Sequence, residues 1–329
     1  SLVPARNIYQ QQTHNRRLTL LVMSAFVLFL TLLGLGFDFF YLGTITDGTF
    51  LPVATLVAAG VGSLSAWWSL QGGAKAVLSS TGARPLDANN PSHRQLLNVV
   101  EEMSIASGLP KPSIFVVPDA DPNAFATGKN PQHSSIAVTQ GLLDTLTREE
   151  LQGVVAHEMS HIRNYDIRLM TVIAALIGAI LLLSDGARRA MWYGGGSQRR
   201  KRSNQAGGLG AILLVMWIIG IILAPLVSQL MAFAVSRRRE YLADASAAEM
   251  TRNPMGLANA LRKLENAAAP TTSVKRGAAH LCIVDPLGRK INLKEGLTAE
   301  LFGTHPPIDK RILALEAMAY QFGGVTTSA

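Results

Sequence analysis

Thr147-Arg148-Glu149-Glu150-Leu151-Gln152-Gly153-Val154-Val155-Ala156-His157-Glu158-Met159-Ser160-His161 is the stretch that decides how this chain is read. Thr147 and Glu150 form a capping box, which predicts a helix start, and Leu151, Val154, Val155 and Ile162 lay an apolar stripe along the helix. A helix turns about 100° per residue, so His157 and His161 point at one spot and Glu158 projects roughly a quarter turn away. Two imidazoles with an adjacent carboxylate supply two metal ligands and a base, the set that metal-dependent hydrolysis needs. HExxH also occurs by chance on polar helix faces that bind nothing, so its surroundings matter. Here Gly153 to Ala156 suit a helix buried on most sides. Buried His and Glu side chains need partners, and a metal ion provides them.

A catalytic zinc usually holds three protein ligands plus water, so a third ligand is expected elsewhere. Ser236-Arg237-Arg238-Arg239-Glu240-Tyr241-Leu242-Ala243-Asp244 offers it. Glu240 and Asp244 share a helix face, with Glu240 as the ligand and Asp244 behind it, accepting the spare N–H of a ligand histidine. Alone, these residues read as a solvated charge cluster with Glu240 paired to the arginines. Beside HExxH the ligand reading is preferred, with one zinc ion per chain.

HEMSH (157–161), SRRREYLAD (236–244), a preceding NAFATG (123–128) and a later THPP (304–307) together resemble HtpX-type membrane zinc metallopeptidases, relatives of the CAAX prenyl proteases with a gluzincin-like zinc site. The resemblance covers most of residues 85–320. It implies His157, His161 and Glu240 as ligands, Glu158 as catalytic base and Asp244 behind the ligands. It further implies that Asn123, Ala124, Phe125, Ala126 and Thr127 lie along the substrate strand. His305 is expected near the cleft, as an oxyanion or substrate contact. A zinc metalloendopeptidase acting in quality control of damaged or misfolded membrane proteins is the implied activity.

Composition points the same way. Of 329 residues, 48% are hydrophobic and only 16% charged, and the mean hydropathy is +0.24, as expected with membrane segments. The formal charge is +8, but the basic residues are scattered or flank apolar runs. That suits anionic headgroups better than nucleic acid, for which no motif is present. Cys282 is the only cysteine, so no intrachain disulfide forms, and Leu281 to Val284 reads as a short buried strand.

Along the chain, residues 1–84 read as a membrane hairpin with spans at about 18–37 and 50–70. Arg16 and Arg17 precede it and Lys75 and Arg84 follow it, whereas the connecting loop holds aspartates and no Lys or Arg. Both ends are therefore expected in the cytoplasm. Residues 85–168 read as the upper catalytic half: a helix over 92–107, short strands at 114–117, 124–127 and 135–139, and the metal helix. An edge strand is expected to stand free for an extended peptide to pair with. Residues 169–234 hold two further apolar runs, 169–184 and 209–234, either spanning or re-entrant. The basic connection 185–208 contradicts positive-inside if both span, and its side stays open. Residues 235–329 carry the third ligand and a helical cap.

The expected fold is α+β and mostly helical: a membrane-anchored, zincin-like metallopeptidase with a small mixed sheet and an HExxH helix. Its expected place is the inner (plasma) membrane, multi-pass, with the site facing the cytoplasm. Expected partners are the bilayer and unfolded or membrane-protein substrates. The rivals are a CAAX-type prenyl protease, a non-catalytic zinc-stabilised scaffold and a transporter. The apolar runs carry no charge, which disfavours the last.

Overall fold

A computed structural model describes residues 8–39, 51–194, 237–266 and 308–325. The elements are α1 (Ile8–Phe37), α2 (Val53–Ser80), β1 (Arg84–Pro85), α3 (Pro91–Ser107), β2 (Ser113–Val117), β3 (Ala124–Asn130), β4 (His133–Thr139), α4 (Gln140–Thr145), α5 (Arg148–Arg163), α6 (Asp166–Gly194), α7 (Arg237–Thr251), α8 (Pro254–Glu265) and α9 (Ile308–Val325). The fold is mostly helical with one small mixed sheet, the expected class. His305, the 209–234 run and the stretch around Cys282 lie outside the described residues, as does most of the basic connection.

Local chemistry sets the helix starts. Thr147 and Glu150 make the reciprocal capping box of α5: Thr147 Oγ1 accepts from Glu150 N–H, and Glu150 Oε2 accepts from Thr147 N–H at 2.8 Å. Asn90 and Asn253 cap α3 and α8, each with proline at the first helical position. Asp38 reaches across the hairpin to accept from Ala54 and Thr55 N–H at 3.0 and 2.7 Å, which satisfies the start of α2.

The sheet runs β1-β2-β4-β3, with β2 and β4 parallel and the other pairs antiparallel. Both its faces are covered. Val116, Ala124, Ala126, Ile136 and Val138 pack into the core built with α3, α5 and α8. Val117, Phe125 and Ala137 face Val77 and Leu78 of α2 and Met170 and Ala174 of α6. Period-2 alternation thus feeds two cores, one on each side of the strands. A Cβ at Gly153 of α5 would stand 2.7 Å from Leu257 N, so only glycine lets α8 lie this close to α5.

α1 and α2 differ from the rest. Among the described residues they are the two helices long and apolar enough to cross a membrane, at Tyr9–Phe37 and Val53–Ser80. Most of their large apolar side chains are uncovered: Leu21 is 60% exposed, Leu64 65% and Trp67 58%. An apolar surface this long calls for an apolar environment around it rather than water.

Several boundaries depart from those read in the sequence. α2 continues ten residues beyond 70, because its last turns pack under the sheet through Val77 and Leu78. α6 runs to Gly194, well into the stretch expected as a basic loop. Its first half is buried against α1 through Leu169, Val172, Ile173, Leu176 and Ile177. Between α5 and α6, Tyr165, at φ 60°, turns the chain. The edge strand β3 is not free along its whole length either. Its Gly128 N–H donates to Thr171 Oγ1 of α6 at 3.0 Å, and residues Ala124 to Gly128 are buried.

Candidate metal centre

α5 and α7 pack face to face, and the small side chains Ala243, Ala247 and Ala248 let them approach closely. One turn separates Glu240 from Asp244 on α7, as it separates His157 from His161 on α5. All four are buried. One ligand atom each from His157, His161 and Glu240 lies within 4.8 Å of the others. The two Nε2 atoms stand 3.2 Å apart. Glu240 Oε2 is 3.6 Å from His157 Nε2, and Glu240 Oε1 is 3.6 Å from His161 Nε2.

Carboxylates stand behind both rings. His161 Nδ1 lies 3.0 Å from Asp166 Oδ2. His157 Nδ1 lies 2.9 Å from Asp244 Oδ1, a charge contact off the line of a well-directed hydrogen bond. A proton on each Nδ1 turns each Nε2 into a lone-pair acceptor. Arg311 of α9, fully buried, grips Asp244 with two bonds: Nε to Oδ2 at 2.8 Å and Nη2 to Oδ1 at 2.7 Å. Its Nη1 is 3.9 Å from Glu240 Oε2.

The charges respond accordingly. Burial works against a charged His157, but its contacts with Asp244 and Glu240 win and push it up to about 9. His161 also rises: burial opposes the charge, and Asp166 and Glu240 outweigh it. Burial alone would raise Asp244, yet Arg311 holds it below the usual carboxylate range. Burial raises Glu158, while the two histidines pull the other way. Glu158 Oε1 is buried without a hydrogen-bond partner.

This donor set fits a metal ion. Two nitrogens at 2.0–2.1 Å from one tetrahedral ion stand about 3.4 Å apart, close to the separation of the two Nε2 atoms. Three lone-pair donors converging in a buried space repel one another unless a cation lies among them. An orphaned Glu158 oxygen beside them has the place of a group that meets a water at the site.

Of the residues singled out in the sequence, the structure brings together His157, Glu158, His161, Glu240 and Asp244. Asn123 to Thr127 run into and along β3, whose first residues pack against α5. His305 lies outside the described residues. Sequence reasoning missed Asp166 and Arg311. Asp166 comes five residues after His161, and its meaning depends on the turn at Tyr165. Arg311 lies 67 residues from its partner, and no spacing rule joins them.

Residues 91–319 match peptidase family M48. The chain belongs to this family. M48 membership is matched by strong likeness over nearly the whole length to curated relatives named "Protease HtpX homolog". One, from Caldanaerobacter subterraneus, is 43% identical over 313 residues, covering 95% of this chain and 98% of the relative. Another, from Limosilactobacillus fermentum, is 42% identical over 311 residues, covering 94% and 100%. Among solved structures, the crystal structure of S. mikatae Ste24p is similar at 19% identity with a TM-score of 0.38. That match covers 79% of this chain, which spans 64% of the other protein's length. As an M48 protein with this donor set and these two helices, the chain is a membrane metalloprotease.

Proposed function

We propose that the chain is a zinc-dependent endopeptidase, embedded in the plasma membrane by several spans, that cleaves misfolded or damaged membrane proteins from the cytoplasmic side. The observation that carries this is the convergence of His157, His161 and Glu240, each histidine backed by a buried carboxylate. Two imidazoles and one carboxylate suit zinc, and the three ligands found among the described residues match a site that keeps a position for substrate.

His157, His161 and Glu240 hold the ion. When bound, zinc supplies Lewis acidity to water and to the scissile carbonyl. Asp244 and Asp166 keep each ligand ring in its Nδ1–H form, and Arg311 fixes Asp244. Glu158 takes a proton from the attacking water at a carboxylate oxygen and passes it to the leaving amine nitrogen. Its opposed influences, burial against two neighbouring imidazoles, suit a group that must both take and release a proton. Asn123, Ala124, Phe125, Ala126 and Thr127 line the path of an extended substrate, and His305 steadies the oxyanion. Backbone pairing selects extended, unfolded chain over any particular sequence, which accords with a quality-control role.

The topology follows from charge. Arg16 and Arg17, in the third turn of α1, and Lys75 near the end of α2 lie toward the ends of the hairpin that adjoin the site. The positive-inside rule assigns those ends, and the site with them, to the cytoplasm.

The test is Glu158→Gln in the full chain. Zinc content stays at wild-type stoichiometry by elemental analysis, and chelator-sensitive hydrolysis of casein falls about 10²- to 10⁴-fold. Wild-type hydrolysis by that variant would remove Glu158 from this role. A prenylated peptide alongside casein separates a CAAX-type specificity from general endopeptidase action.

A further inference from the structure

The hydrogen-bonded line behind His161 does not stop at Asp166. Asn15 of α1 donates from Nδ2 to Asp166 Oδ1 at 2.6 Å and to the Asn164 carbonyl at 2.9 Å. The other Asp166 oxygen faces His161 Nδ1 at 3.0 Å. An amide from α1, a carboxylate from α6 and an imidazole from α5 are thus in series, and all three side chains are buried. Both Asn15 contacts are to acceptors, which fixes which end of the amide points there. The remaining Asn15 oxygen is buried without a partner, so the side chain is committed to donating. Nearby α1 residues hold the same corner without touching Asp166. Gln12 Nε2 donates to the Arg163 carbonyl at 2.8 Å, and the Arg16 guanidinium sits 4.3 Å over the Tyr165 ring.

We propose that Asn15 is a positioning residue of the metal centre, acting through Asp166 on His161. The first membrane helix is then part of the metal site's scaffold as well as an anchor. A carboxylate held by one oxygen can rotate about its last bond; one held at both oxygens cannot. Asn15 fixes Oδ1, so Oδ2 stays on His161 Nδ1. That keeps the proton on Nδ1 and leaves Nε2 to a metal. The donor also offsets part of the cost of burying the Asp166 charge. Seating of α1 against the α5–α6 corner is thereby coupled to metal affinity.

This inference rests on His157, His161 and Glu240 being the ligands. The experiment is a zinc Kd, by chelator competition on the full chain in detergent, for wild type, Asn15→Ala, Asp166→Ala and the double variant. Asp166→Ala weakens binding about 10- to 100-fold and Asn15→Ala about tenfold, the range for groups that orient ligands. In the Asp166→Ala background Asn15→Ala causes no further loss, because its effect runs through Asp166. An equal loss in both backgrounds, or none in either, overturns the proposal. Gln12→Ala removes a contact at the same corner and leaves Kd unchanged; a tenfold loss there would reduce Asn15 to a docking contact and overturn it too. Should Asn15→Ala fail to fold, Asn15→Asp sets two carboxylates against each other, and adding Asp166→Asn re-forms the bond in reverse. Zinc binding recovers in that pair relative to Asn15→Asp alone, and no recovery counts against Asn15. Glu240→Ala in the same titration tests the ligands separately: wild-type affinity there overturns the ligand set, whatever the Asn15 variants show.

Discussion

The outer faces of α1 and α2 and the interior around α5 are opposites. On the hairpin, leucines, valines and tryptophans face outward. Around the C-terminal half of α5, His157, His161, Glu158, Asp166, Glu240, Asp244 and Arg311 are sealed inside. Each region inverts the usual rule for a water-soluble fold. Among the described residues each therefore presents groups suited to something added: an apolar face on the hairpin for lipid, converging donors around α5 for a cation. The comparison separates two kinds of polar satisfaction. Asp38, Asp244 and Asp166 are answered by fixed donors, whereas the Nε2 atoms of His157 and His161 face each other and Glu240, an arrangement that holds either a shared proton or a metal ion.

The largest expected effect falls on the buried arginine. Arg311→Met leaves the Asp244 and Glu240 charges without their guanidinium and costs about 3–5 kcal/mol of stability, read as a lower thermal midpoint in detergent. Arg94→Met on the exposed side of α3 stays within about 0.5 kcal/mol. Equal effects at both positions would erase the contrast between the interior and the surface.

The next effect probes the hairpin. Leu64→Asp sits on an outward face where a soluble protein would tolerate it within about 0.5 kcal/mol. Against lipid it costs about 2.5–3.5 kcal/mol, seen as loss of the protein from the membrane fraction. Unchanged fractionation would mean that α2 does not meet the bilayer core at Leu64.

A smaller effect is expected with pH. In the metal-free protein both histidines are raised above their ordinary 6.5, His157 to about 9. Raised groups stabilise the fold fully below about 6.5, and that contribution is lost as pH climbs through the folded value. The thermal midpoint of the metal-free protein therefore falls between pH 6.5 and about 9. Zinc replaces those protons, so its affinity rises across the same range and the loaded midpoint does not fall. A flat metal-free profile would deny the carboxylate contacts of His157 and His161.

How much could be read beforehand followed the distance over which each relationship acts. α5 was legible because its capping box, apolar stripe and HExxH spacing all lie within sixteen residues. Glu240 was legible only in company, since a glutamate beside arginines is otherwise an ordinary charged face. Asp166 was hidden by one backbone angle: a continued helix at Tyr165 would carry it away from His161, whereas the turn at φ 60° returns it. Asn15 and Arg311 were hidden by sequence separations of 151 and 67 residues. In the fold, apolar content marked the membrane helices but not their ends. α2 stays helical past its apolar run because the sheet, not the bilayer, receives Val77 and Leu78.

The most direct measurement is zinc content by elemental analysis of the purified full chain and of Glu240→Ala, after equal exposure to a weak chelator. One zinc per wild-type chain and a near-complete loss in Glu240→Ala are expected, because a carboxylate ligand has gone. One zinc retained in Glu240→Ala would contradict the claim that α5 and α7 converge to hold a single ion.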